Sequence, residues 1–122
     1  MKKVLNIDFQ LVNTEFVFCY GQKAYSKFNK KRFDSIEEIL KGGITSSWRD
    51  ENKFIIVIGV KEYDDIYCLK GLIMHEISHA VTMLFNEYGF SCDEMRSYTI
   101  QWLYQQIMPF VDDIISKDKN DT

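Results

Sequence analysis

The chain has 122 residues, 46% of them hydrophobic and 15% aromatic, with a formal net charge of −3. That length and composition describe one folded domain with a sizeable core and exclude a disordered chain. The acidic balance argues against a nucleic-acid binder, and no apolar stretch is long enough to span a bilayer, so neither nucleic acid nor membrane is an expected partner.

The first residues, Met1-Lys2-Lys3-Val4-Leu5-Asn6-Ile7-Asp8, lack the apolar run of a signal peptide because Asn6 and Asp8 interrupt it, so a cytoplasmic location is the expectation. Cys19, Cys68 and Cys92 form an odd, scattered set with no zinc-clip spacing, and they read as reduced thiols. Val4 to Ile7 and Glu15 to Tyr20 read as strands, the second carrying the aromatic and β-branched run Phe16-Val17-Phe18. Gln22 to Phe33 reads as a helix. The basic cluster Lys27, Lys30, Lys31 and Arg32 within it reads as a solvated face. Ser35-Ile36-Glu37-Glu38 has capping-box spacing and predicts a short helix ended by Gly42-Gly43.

Ile44 to Trp48 and Phe54 to Val60 then read as a hairpin of two strands joined by the polar stretch 49–53. From Asp65 to about Tyr88, Ile66, Leu69, Ile73, Ile77, Ala80, Val81 and Leu84 recur at spacings of three and four, predicting a helix stopped at Gly89. Ser91-Cys92-Asp93-Glu94 is a second capping box, predicting a helix to about Ile115 that Pro109 should kink or break in two. The polar tail 116–122 is expected to fray. The fold class is therefore α+β: a small, mostly antiparallel sheet from the first half packs on the 65–88 helix, and a second long helix follows.

Both histidines of the chain lie in one motif, His75-Glu76-Ile77-Ser78-His79. Residues four apart on a helix lie about 40° apart around the axis, so the two imidazoles share a face and can share one zinc ion. Glu76 lies roughly 100° around from His75, which suits a general base rather than a ligand. Zinc brings a water's pKa toward neutrality, and a neighbouring carboxylate can take the proton. A catalytic zinc needs a third protein ligand. The candidates are Cys92, Asp93 and Glu94, with Glu94 favoured by its place in the first turn of the returning helix. Its competing role is the capping box with Ser91. Tyr98, four residues beyond Glu94, could orient a ligand or donate to an oxyanion, or else pack in the core.

The hairpin Gly43-Ile44-Thr45-Ser46-Ser47-Trp48 to Phe54-Ile55-Ile56-Val57-Ile58, the run Leu72-Ile73-Met74-His75-Glu76-Ile77-Ser78-His79-Ala80-Val81, the Gly89 turn and Glu94-Met95-Arg96-Ser97-Tyr98 together resemble small phage-encoded zinc-metallopeptidase-like proteins of the gluzincin type. The resemblance implies a short sheet whose edge strand borders the active helix. It implies zinc held by His75, His79 and Glu94, Glu76 as base and a nearby tyrosine at 98. It also implies a phage or prophage origin and the reduced cytoplasm of a bacterial host. The expected activity is zinc-dependent cleavage of a peptide or protein substrate. A substrate peptide could add to the edge of Ile44 to Trp48 or of Phe54 to Val60. So short a chain leaves little material for a second cleft wall, so a homodimer or protein partner is also expected. The competing reading is a zincin-fold module that acts by contact, as an inhibitor or assembly factor would.

Overall fold

A computed structural model describes residues 2–120. Its elements in order are β1 (Val4–Phe9), β2 (Thr14–Tyr20), α1 (Gln22–Phe33), β3 (Gly43–Asp50), β4 (Lys53–Val60), α2 (Ile66–Tyr88) and α3 (Asp93–Asn120). The α+β reading holds. The four strands form one mixed sheet in the order β1-β2-β4-β3. β1 with β2 and β3 with β4 pair antiparallel, while the central pair β2 and β4 runs parallel.

Alternation along the two central strands creates two cores. Phe16, Phe18 and Tyr20 of β2 and Phe54, Ile56, Ile58 and Val60 of β4 face one side, against Leu69, Ile73, Ile77 and Leu84 of α2 and Leu103, Ile107 and Val111 of α3. The intervening Val17, Cys19, Ile55 and Val57 face the other side, with Tyr25 of α1 and Ile39. Strands covered on both faces read as near-continuous apolar runs, which explains why 54–60 shows little alternation in the sequence. Sidedness of this kind supplies most of the hold on α2, because helix stability in proteins comes mainly from packing an apolar face.

Four expectations need correction. The segment after α1 is not helical at 35–40. Asp34 ends α1 in the left-handed region at φ 52°. Ser26 Oγ then donates to the Glu37 carbonyl at 3.0 Å, and the Ile39 N–H donates to Gln22 Oε1 at 2.8 Å. These bonds draw the segment out along α1 and lower Ile39 into the second core, where it is 2% exposed. The Ser35 hydroxyl meets the Glu37 side chain at 3.5 Å instead of capping a helix.

Of the kink or break expected at Pro109, the break is absent: α3 is one continuous helix through it. Pro109 is exposed between buried Ile107 and Met108 on one side and Val111 on the other. The flanking core residues hold the helix in place, and Gln105, one turn earlier, whose carbonyl loses its amide partner to the proline, is itself exposed. The same helix runs on through residues 116–120 of the expected frayed tail, with Lys117 and Asp113 paired at 3.0 Å; residues 121 and 122 lie outside the described residues.

α3 also starts later than its capping box predicts, at Asp93, with the Arg96 N–H donating to the Cys92 carbonyl at 3.0 Å. After the left-handed Gly89 at φ 69°, Phe90 packs on Phe85 and Tyr88, with ring centroids at 5.5 and 5.8 Å. Ser91 is thereby left in the connection rather than at the cap.

Candidate metal and catalytic site

α2 begins at Asp65, whose carboxylate accepts from the Tyr67 and Cys68 N–H groups, and it ends at Gly89. Between these stops the apolar spacing turns Ile73, Ile77 and Ala80 into the core and leaves His75 and His79 on the exposed side. Their rings lie edge to face at 4.6 Å, and their Nε2 atoms approach to 3.1 Å. Two nitrogens at 2.0–2.1 Å from one tetrahedral zinc are roughly 3.3 Å apart, so the pair fits one edge of such a shell.

Glu76 sits at the border between core and solvent, 5% exposed. Its Oε1 accepts from the Thr45 hydroxyl at 2.7 Å, and the same hydroxyl lies 3.2 Å from the Glu76 carbonyl. Gly43, two residues earlier on β3, makes room for the carboxylate: a Cβ there would stand 2.9 Å from Glu76 Oε2 and 2.8 Å from its Cγ. Further along, Arg49 of β3 pairs with Glu87 of α2 and lies over the Phe54 ring at 5.2 Å. β3 is thus fastened to α2 at both ends and runs beside it in the same sense.

β3 is an edge strand, and β4, the other strand the sequence suggested for peptide addition, is interior. The Lys61 N–H donates to the Gly42 carbonyl at 2.9 Å. From that bond, antiparallel alternation leaves the backbone groups of Gly43, Thr45 and Ser47 pointing away from β4. The residues that face Glu76 therefore also carry the free ladder positions. Sequence reasoning did not single out Gly43 and Thr45 as site residues. Their spacing of two, on a strand next to the motif helix, was the available signal.

The remaining expected residues are not drawn in. Among the described residues no group of three or more His, Cys, Asp or Glu side chains could hold a metal, so Glu94 is not gathered with His75 and His79. Glu94 is exposed, and its side chain makes neither a ligand cluster nor the predicted bond to the Ser91 N–H. Tyr98 is 65% exposed on α3. Arg96 ties α3 to α2, donating to Thr82 Oγ1 at 2.7 Å and lying 6.0 Å from the centre of the Phe85 ring. Cys92 is exposed and free, as is Cys68.

No protein-family model, no curated protein and no solved structure matches the chain. That result, with no third ligand gathered among the described residues, overturns the resemblance to phage-encoded gluzincin-type proteins, which outside the five-residue motif rested on loose patterns. No helix among the described residues is long and apolar enough to cross a membrane.

Proposed function

We propose that the chain is a zinc-dependent hydrolase of peptide bonds, with His75 and His79 as metal ligands and Glu76 as general base. The observation that carries this reading is the convergence of the two Nε2 atoms at 3.1 Å beside a carboxylate that an edge strand holds in place. Bound there, zinc would polarise the scissile carbonyl and acidify the attacking water. Thr45 fixes the Glu76 carboxylate through Oε1, leaving Oε2 to accept a proton from water and return it to the leaving amine. A substrate in extended form would pair with the outward groups of Gly43, Thr45 and Ser47, which brings its backbone alongside Glu76. Glu94, whose carboxylate has no hydrogen-bond or ion-pair partner among the described residues, is the proposed third ligand and would have to turn toward His75 and His79 to join them, with Tyr98 the proposed donor to an oxyanion. Three free cysteines support a reducing, cytoplasmic setting.

A second reading has its own observation. With no third ligand gathered, the same two histidines suit a module that acts by contact, for which metal is dispensable. Cleavage profiling of a proteome with wild type and Glu76→Gln separates the two. The hydrolase reading expects new termini with wild type that Glu76→Gln does not produce; identical profiles favour the contact module.

A further inference from the structure

The two faces of the sheet are covered unequally. α2 and α3 cover one face, while α1 and the segment that carries Ile39 lie on the other and leave β1 open beside α1. The result is a groove of about 800 Å³ between β1 and α1. Its floor is Val4, Ala24 and Phe28, and its rim carries Lys3, Lys23, Lys27 and Lys31. In all it is lined by five cationic side chains, Arg32 included, against the one carboxylate of Glu62, in a chain whose net charge is −3. Arg32 is already engaged, by Glu15 at 3.4 Å and Asp50 at 3.8 Å. The four lysines have no carboxylate within 4.0 Å among the described residues. An apolar floor with a one-signed rim is not what a simple solvated helix face provides.

Two geometric features narrow the occupant. Lys23, Lys27 and Lys31 are four apart on α1, so their positions repeat about every 6 Å along the helix. Residues on one side of an extended peptide repeat about every 6.7 Å. In addition, β1 is a sheet edge that pairs only with β2 among the described residues. The Tyr20 N–H donates to the Lys3 carbonyl at 2.9 Å, so alternation points the backbone groups of Val4, Asn6 and Asp8 outward. Val4 and Asn6 are also the β1 side chains that line the groove.

We propose that this groove docks an acidic peptide segment of a partner protein, added in extended form to the free edge of β1, with alternate Asp or Glu side chains against the lysine row. The proposal is independent of the metal site, which lies on α2 on the opposite face of the sheet.

The test is fluorescence anisotropy with a short labelled peptide of alternating Glu and Val. Wild type should bind it saturably and more weakly as salt rises. The triple variant Lys23→Glu, Lys27→Glu, Lys31→Glu should bind roughly tenfold more weakly or worse, and the corresponding Gln variant should fall between. All three lysines are exposed, so the fold should survive, which circular dichroism checks. On wild type alone, a Gln-Val peptide and a Glu-Val peptide N-methylated at alternate residues should both lose binding. The proposal is overturned by absence of saturable binding, by equal binding of the N-methylated peptide, or by a preference for a single-stranded oligonucleotide or anionic phospholipid vesicles over the acidic peptide.

Discussion

Thr45 and Glu76 are 31 residues apart in the chain and joined by a 2.7 Å hydrogen bond that links the edge strand to the motif carboxylate. Removing Thr45 from this part-buried pair leaves the buried Glu76 carboxylate without its bond, at about 1–3 kcal/mol. Thr45→Val, which keeps shape but loses the hydroxyl, should therefore lower unfolding free energy by about that amount in urea titration. Thr45→Ser should be close to wild type by the same measure.

Gly43 makes the same point sterically. Gly43→Ala would put a methyl group within 3 Å of Glu76, so either the carboxylate or the strand must move. A loss of about 1–3 kcal/mol is expected, as for overpacking elsewhere. Gly43→Ala combined with Glu76→Ala should recover part of it, because the colliding atoms are gone. Additive losses in the double variant would contradict the contact.

The motif and its helix were legible from residue spacing, because apolar positions at three and four and a glycine stop leave little choice for 66–88. The central strands were legible as strands, yet their pairing was not: β2 and β4 run parallel through an intervening helix and edge strand, and no local pattern specifies a partner that distant. Both capping boxes misled. Ser35 and Ser91 have the right spacing, but Gln22, Ser26 and the Phe85–Phe90–Tyr88 contacts claim the neighbouring segments instead. Likewise the basic cluster read as a solvated face, since only the fold reveals that Lys3 and an uncovered strip of sheet stand opposite it.

Cys19 gives a pH-dependent test. Burial raises its thiol from 9.0 to about 12. Between those values the native state keeps a proton that the unfolded chain loses, so stability is full below pH 9 and falls as pH rises toward 12. The slope attributable to Cys19 should approach roughly 1.4 kcal/mol per pH unit, and Cys19→Ala should flatten it. At neutral pH a thiol reagent should label Cys68 and Cys92 rapidly and Cys19 only on unfolding.

Pro109 lies on the exposed face of α3 within unbroken helix. A helix-interior proline is about 3 kcal/mol less favourable than alanine. Pro109→Ala should therefore raise the melting temperature, with a gain of about 1–3 kcal/mol. An unchanged or lower value would mean that α3 is interrupted at this point.

The identity of the third ligand is open to a simple substitution. Glu94 is exposed in the first turn of α3 and makes no side-chain hydrogen bond or ion pair among the described residues, so Glu94→Gln should leave the melting temperature in excess chelator nearly unchanged. As the proposed third ligand it should weaken zinc affinity roughly tenfold or more, whereas Cys92→Ser and Asp93→Asn should not.

The central claim is that His75 and His79 hold a metal ion, and calorimetric zinc titration of the chelator-stripped protein tests it most directly. Wild type should take up about one equivalent, Glu76→Gln the same, and His75→Ala or His79→Ala should lose tight binding. Wild type that takes up well under one equivalent, or a His75→Ala variant that binds as wild type does, would contradict the account.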